Sequence, residues 1–155
     1  MGLYFEQFTV GATFRTPGRT ITEADIGAYA GLTGDYNPVH TDAVFAAATQ
    51  FGTRIAHGPF GIGLAFGLAS RLDLIDGTVI ALLSVQWDFK APVRAGDTLH
   101  AEIAVTEARP SRQEDRGTVG LGFDMRNQDG ETTQAGRCLL LMRRAPAGGS
   151  QGVLA

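Results

Sequence analysis

The sequence predicts an α+β domain in which an antiparallel sheet of about five strands wraps around one buried apolar helix. Two observations lead there. Residues 59 to 70 carry no charged side chain, and Phe60, Ile62, Leu64, Phe66 and Leu68 alternate with Gly61, Gly63, Ala65, Gly67 and Ala69, so a helix here is apolar on every side and predicted to be buried all round. Beyond residue 77 apolar positions recur every second residue in segment after segment, with turns short enough to make hairpins.

Composition agrees with one packed domain. The 155 residues are 44% hydrophobic and 19% charged, the balance of a globular chain with a substantial core. A formal charge of -3, from 13 basic and 16 acidic side chains, gives no positive field to attract nucleic acid or an anionic membrane. The single cysteine, Cys138, excludes an intrachain disulfide. Met1 to Phe14 has no basic start followed by a long apolar run, and no stretch reaches the ~18 apolar residues of a membrane span, so a soluble cytoplasmic protein is expected.

Taken in order, residues 12 to 21 are expected to add an edge strand. Thr22-Glu-Ala-Asp25 reads as a helix start, with a capping hydroxyl and acids at the positive end. Ile26, Tyr29, Ala30 and Leu32 continue the helical spacing to about residue 32. Gly34-Asp35-Tyr36-Asn37-Pro38-Val39-His40 is predicted to be a loop, because Pro38 pushes Asn37 out of helical geometry and Gly34 permits positive φ. A short helix starts near Thr41 or Asp42. The apolar helix starts at Pro59, where the missing N–H costs nothing. Strand alternation then places Val79, Ala81, Leu83, Val85, Trp87 and Phe89 on one face, followed by Leu99 to Val105, Val119 to Met125 and Cys138 to Met142, with turns at Ala95-Gly96-Asp97, residues 112 to 117 and Asp129-Gly130. The domain is assigned to residues 1–144, and the Gly, Ala, Ser and Pro residues of 145–155 to a flexible tail.

Chemistry concentrates on the loop. Asp35 and His40 lie five apart on a segment broken by proline, so a carboxyl and an imidazole can point into one space and exchange protons near neutral pH. From these two residues alone, a turn cap by Asp35 and a helix cap by His40 is the favoured reading. His57-Gly58-Pro59 adds a helix N-terminus whose free N–H groups can hold a developing oxyanion, and because Pro59 has none, Gly58 is the natural donor.

Gly34-Asp35-Tyr36-Asn37-Pro38-Val39-His40-Thr41-Asp42, followed eighteen residues after His40 by Gly58 in Arg54-Ile55-Ala56-His57-Gly58, resembles the MaoC-like dehydratases, the (R)-specific enoyl-CoA hydratase family. The likeness runs from about Tyr4 to Arg144 and takes in the strand and turn from Asp88 to Asp97. It implies a hot-dog fold. It also implies addition of water across a trans-2-enoyl-CoA to give an (R)-3-hydroxyacyl-CoA, or the reverse dehydration. By the same resemblance Asp35 and His40 are the catalytic pair holding the water, the Gly58 N–H supports the thioester enolate, and Asn37 orients the water or the loop. No cofactor is implied beyond the coenzyme A of the substrate.

After His57-Gly58 this chain has Pro59, Phe60, Gly61, Ile62 and Gly63, where many relatives carry bulky or hydroxylated residues. Phe60, Gly61 and Gly63 are therefore candidates for shaping an acyl pocket, the small ones by widening it; packing of helix against sheet is the other reading of the glycines. Lys90 and Arg94 are candidates for the phosphates of coenzyme A, or simply solvated cations, and Tyr36 and Arg54 are further possible substrate contacts.

Three decoys fall away. Gly61 to Gly67 imitates a dinucleotide fingerprint but follows no adequate strand; no Gly-x-Ser-x-Gly elbow is present; and His40, His57 and His100 fit no compact metal spacing, so no metal is expected. Acyl-CoA thioesterase activity and a non-catalytic acyl-CoA binding subunit remain as rival functions. An uncovered sheet edge predicts at least a homodimer.

Overall fold

Alternation becomes sheet much as its period requires. In the computed structural model, which describes residues 1–146, the long strands are β3 (Val79–Phe89), β4 (Thr98–Pro110), β5 (Arg116–Arg126) and β6 (Thr132–Arg143). Two short strands precede them, β1 (Thr13–Arg15) and β2 (Arg19–Thr20), both antiparallel to β4. The order across the sheet is β1-β4-β5-β6-β3, with β2 also on β4. The expected edge strand is thus two pieces, interrupted at Pro17-Gly18. At the β5–β6 turn Gly130 takes φ 78°, while Asn127 Oδ1 accepts from the N–H groups of Asp129 and Glu131.

The inner faces read as expected on three strands. Leu99, Ala101, Ile103 and Val105 of β4, Val119, Leu121, Phe123 and Met125 of β5, and Cys138, Leu140 and Met142 of β6 are buried together with Leu64, Ala65, Leu68 and Ala69 of the apolar helix α4 (Gly58–Ser70). Removing a side chain such as Leu68 from this core costs about 2–5 kcal/mol.

Two expectations are corrected. The alternation on β3 is broken by bulges between Val79 and Ala81 and between Leu82 and Ser84, so Leu82, not Ala81 or Leu83, stands opposite buried Leu140. Val85, Trp87 and Phe89 keep the inner register, opposite Cys138, Gly136 and Gln134. Because β3 is the sheet edge, Leu82, Val85 and Phe89 remain 50%, 38% and 53% exposed. Nor is α4 enclosed on all sides: Pro59, Gly63 and Gly67, spaced by four, form one open line along it. A single sheet covers only one side of a helix, and the described residues supply no second layer for the other.

Thr22 caps α1 (Glu23–Thr33) in a reciprocal box with Asp25. Burial pushes the Asp25 carboxyl up, but bonds from the Thr22 N–H and hydroxyl and from Arg19 outweigh it and hold the group below its ordinary value. Its stabilising effect is therefore present at neutral pH and lost as pH falls through that lowered value. Ile26 and Ala30 of α1 are buried as predicted, whereas Leu32 is exposed.

Cys138 is buried, and burial pushes its thiol up to about 11. We expect no reaction with an aromatic disulfide reagent at pH 8 in the native state, and one thiol released on unfolding. Above the ordinary thiol range the unfolded chain ionises first, so this group lowers stability as pH rises toward 11. No described helix is long and apolar enough to cross a membrane. Most of the expected tail, residues 147–155, lies outside the described residues; at its start the Ala145 N–H donates to Glu6 Oε2.

Candidate active site

The Asp35–His40 segment is more ordered than a loop. Gly34, at φ 76°, ends α1 in left-handed geometry. Asp35 Oδ1 then accepts from the Asn37 N–H at 3.2 Å, and Asn37 Oδ1 accepts from the Val39 N–H to cap the one-turn helix α2 (Pro38–Thr41). Pro38 does push Asn37 out of helical geometry, as predicted, but it also begins α2 itself, since its fixed φ suits the first helical position. Asp42 ends α2 and caps α3 (Ala43–Ala47), accepting from Val44 and Phe45.

His40 sits on α2. Its Nδ1 lies 2.8 Å from the Ile55 carbonyl oxygen, which can only accept, so Nδ1 carries the proton and Nε2 of the neutral ring keeps its lone pair. His57 is 2% exposed and packs against this ring, with centroids 3.8 Å apart and planes at 26°. Its Nε2–H donates to the Asp35 carbonyl oxygen at 2.9 Å, and its buried Nδ1 has no protein partner. Tyr29 flanks His57 with ring centroids 4.9 Å apart, and Phe60 meets Tyr29 edge-on. His57 therefore holds Asp35 and His40 together from the start of α4. Sequence reading assigned it only to the helix entrance, because its partners lie far away along the chain.

One donor atom from each of Asp35, His40 and His57 lies within 4.8 Å of the others. The histidines fit no compact metal spacing along the sequence, and the fold supplies the proximity of His40 and His57 that the interval lacks. The expectation of no metal site is a separate matter. Stacked imidazoles direct their lone pairs along nearly parallel planes, each ring spends a nitrogen on a carbonyl, and tetrahedral zinc needs donors converging at ~2.0–2.1 Å. The arrangement suits proton transfer better than coordination.

Gly58 opens α4, where its N–H has no acceptor within the helix. Beside it is a cleft of about 320 Å³ whose walls include His40, Phe51, Gly58, Phe89, Lys90 and Gln134. Lys90 thus reaches the cleft. Arg94 turns to the Phe51 carbonyl, and Arg54 pairs with Glu23. Tyr36 is exposed. Phe60 packs toward the core, Gly61 is buried where a Cβ would collide with the Gln134 amide, and Gly63 stands on the open line of α4 with nothing within 4 Å of a Cβ position. The packing reading is the one that fits Gly61. Phe89 and Gln134 were not anticipated. Gln134 had a signal: a lone amide in phase with Cys138, Leu140 and Met142 on an inward face.

A family model described as a MaoC like domain matches residues 5–126. The 3-hydroxybutyryl-CoA dehydratase of Methylorubrum extorquens is 41% identical over 115 residues, 74% of this chain and 71% of that protein. The (R)-specific enoyl-CoA hydratase of Rhodospirillum rubrum is 39% identical over 111 residues, 71% of this chain and 74% of that protein. Among solved structures, the MaoC-like dehydratase from Rhodospirillum rubrum superposes with TM-score 0.84 at 30% identity, covering 94% of this chain and 99% of that one. A Mycobacterium tuberculosis protein of double hot-dog fold, at 22% identity and TM-score 0.84, covers 99% of this chain and 47% of that one and supports the fold alone. With its sheet, its helix and its aspartate–histidine segment as described, the chain belongs to the MaoC-like dehydratase family of hot-dog hydro-lyases.

Proposed function

We propose that this protein interconverts trans-2-enoyl-CoA and (R)-3-hydroxyacyl-CoA by adding or removing water. The observation that carries this reading is that donor atoms of Asp35 and His40 lie within 4.8 Å of each other, while His40 and Gly58 line one cleft. His40 Nε2 takes a proton from water as the oxygen bonds to Cβ. The electron pair of the double bond moves toward the thioester oxygen, which the Gly58 N–H supports, and Asp35, which enters the step as the neutral carboxylic acid, delivers its proton to Cα. The site resets when the imidazolium returns its proton to the carboxylate. Asn37 holds the turn that presents both groups, and Phe51, Ile55 and Phe89 give the acyl chain apolar walls. Lys90 lines the same cleft, which supports its assignment to a phosphate of coenzyme A. The dehydratase and hydratase names of the relatives support the substrate class.

The test is purified protein with crotonyl-CoA and butyryl-CoA, following enone absorbance and free thiol separately. Loss of enone from crotonyl-CoA without thiol release is expected. Thiol release from butyryl-CoA would favour the thioesterase, and binding without turnover the non-catalytic subunit.

Assembly follows from the surface left open. The apolar edge of β3 and the open line of α4 are uncovered among the described residues, and we infer that a second copy covers them, in a homodimer or larger homo-oligomer. Light scattering at micromolar concentration is expected to give at least a dimer, and Leu82→Lys with Val85→Lys to shift it toward monomer. A monomeric wild type would contradict the inference.

A further inference from the structure

Gln134 is 4% exposed, an amide set into an otherwise apolar surface. Burying such a group costs free energy unless both ends are bonded, and here they are. The Trp87 indole N–H donates to Gln134 Oε1 at 2.9 Å, and an indole can only donate, so the amide oxygen is fixed toward Trp87. The amide nitrogen is thereby turned to Gly58, whose carbonyl oxygen accepts from Nε2 at 3.3 Å. Gly61, in the same turn of α4, leaves the room this amide needs. Phe89 closes on Gly58 with a ring atom 3.0 Å from where a Cβ would stand.

We propose that Gln134 is the positioning residue of the oxyanion site, gripping the Gly58 carbonyl so that the Gly58 N–H is held where the thioester oxygen develops charge. The proposal rests on the role given to Gly58 above. Glycine is the residue least constrained by its own backbone, and Pro59 removes one N–H from the same helical turn, so the donor needs an outside anchor. Trp87, which fixes the anchor, is the single tryptophan of the chain and makes it visible to spectroscopy.

The experiment uses the full chain with Gln134→Met, Gln134→Glu and Trp87→Phe, measuring kcat and KM for crotonyl-CoA, tryptophan emission, and the glycine amide signals of ¹⁵N-labelled protein. Gln134→Met keeps the volume and loses both bonds; kcat is expected to fall about 10- to 100-fold with KM within about threefold. Gln134→Glu aims a carboxylate oxygen at the Gly58 carbonyl and sets negative charge beside the oxyanion, for a fall of about 100-fold. Trp87→Phe frees the amide to turn over and covers the case in which a Gln134 variant fails to fold; a fall of about 3- to 10-fold is expected. In each folded variant the Gly58 amide signal should move while that of Gly130, in the β5–β6 turn, stays, and Trp87 emission should shift in the Gln134 variants. Variants that keep kcat within twofold, leave the Gly58 signal in place, or raise KM alone would overturn the proposal. If the wild type hydrated no enoyl thioester, the proposed function would fall, and the Gly58 signal and Trp87 emission would decide by themselves whether the anchor exists.

Discussion

Asp35→Asn and His40→Gln are each expected to lower kcat for enoyl-CoA hydration by about 10²- to 10⁴-fold, the range of one positioned acid or base. Both changes are close to isosteric, which separates chemistry from folding. Asparagine at 35 retains an oxygen to accept from the Asn37 N–H, so the turn should persist while the group can no longer give up a proton. Glutamine at 40 has no basic nitrogen, and His40→Asn, whose amide N–H stands where Nδ1–H does, is the companion variant that keeps a donor for the Ile55 carbonyl. Unchanged circular dichroism together with the rate loss is the expected pair of results. The double variant should lose much less than the product of the two single losses, because acid and base act as a unit.

His57→Leu should have the next largest effect, and of a different kind. It removes the N–H that holds the Asp35 carbonyl and the face against which His40 stacks, while keeping a buried apolar volume. Stability should fall by about 1–3 kcal/mol for the carbonyl left without its donor. Misplacing the pair should lower kcat about 100-fold with little change in KM. His57→Gln, whose amide nitrogen reaches the position of Nε2, offers an N–H again and should recover part of the rate. Denaturant midpoints with kcat and KM for the two variants check this; equal losses in both would make His57 a packing residue only.

How far the fold could be read depended on whether side chains alone set the face. On β4, β5 and β6 the inward positions are buried in unbroken alternation, from Leu99 to Val105, Val119 to Met125 and Cys138 to Met142, and the period sufficed. On β3 a run from Val79 to Val85 is apolar at nearly every position, so nothing in it marks Ile80 and Leu83 as bulge residues; only pairing with β6 does. Pro38 carried two meanings, breaker and starter, and the sequence favours neither without the caps from Asn37 and Asp42. The site divides in the same way. As candidates for the site, Asp35, His40 and Gly58 are legible because their types and spacing form a recognisable pattern. The clasp by His57 was not, because stacking on His40 arises from how α2 packs against the start of α4. Nor was the Trp87–Gln134–Gly58 chain, which joins two strands to a helix.

The edge of β3 links shape to function. An apolar strand edge bearing Leu82, Val85 and Phe89 is an aggregation hazard unless covered, and Phe89 also walls the cleft beside Gly58. A second copy seated there would lie close to the acyl site, so variants that break the dimer should also lower activity.

The most direct test of the account is the configuration of the product formed from crotonyl-CoA by the wild-type protein, resolved by chiral chromatography after hydrolysis of the thioester. The proposed function requires a single face of the double bond to meet the Asp35–His40 pair, and the (R)-specific hydratase among the relatives sets which one, so (R)-3-hydroxybutyrate is expected in large excess. An S product, a racemate or no hydration at all would contradict it.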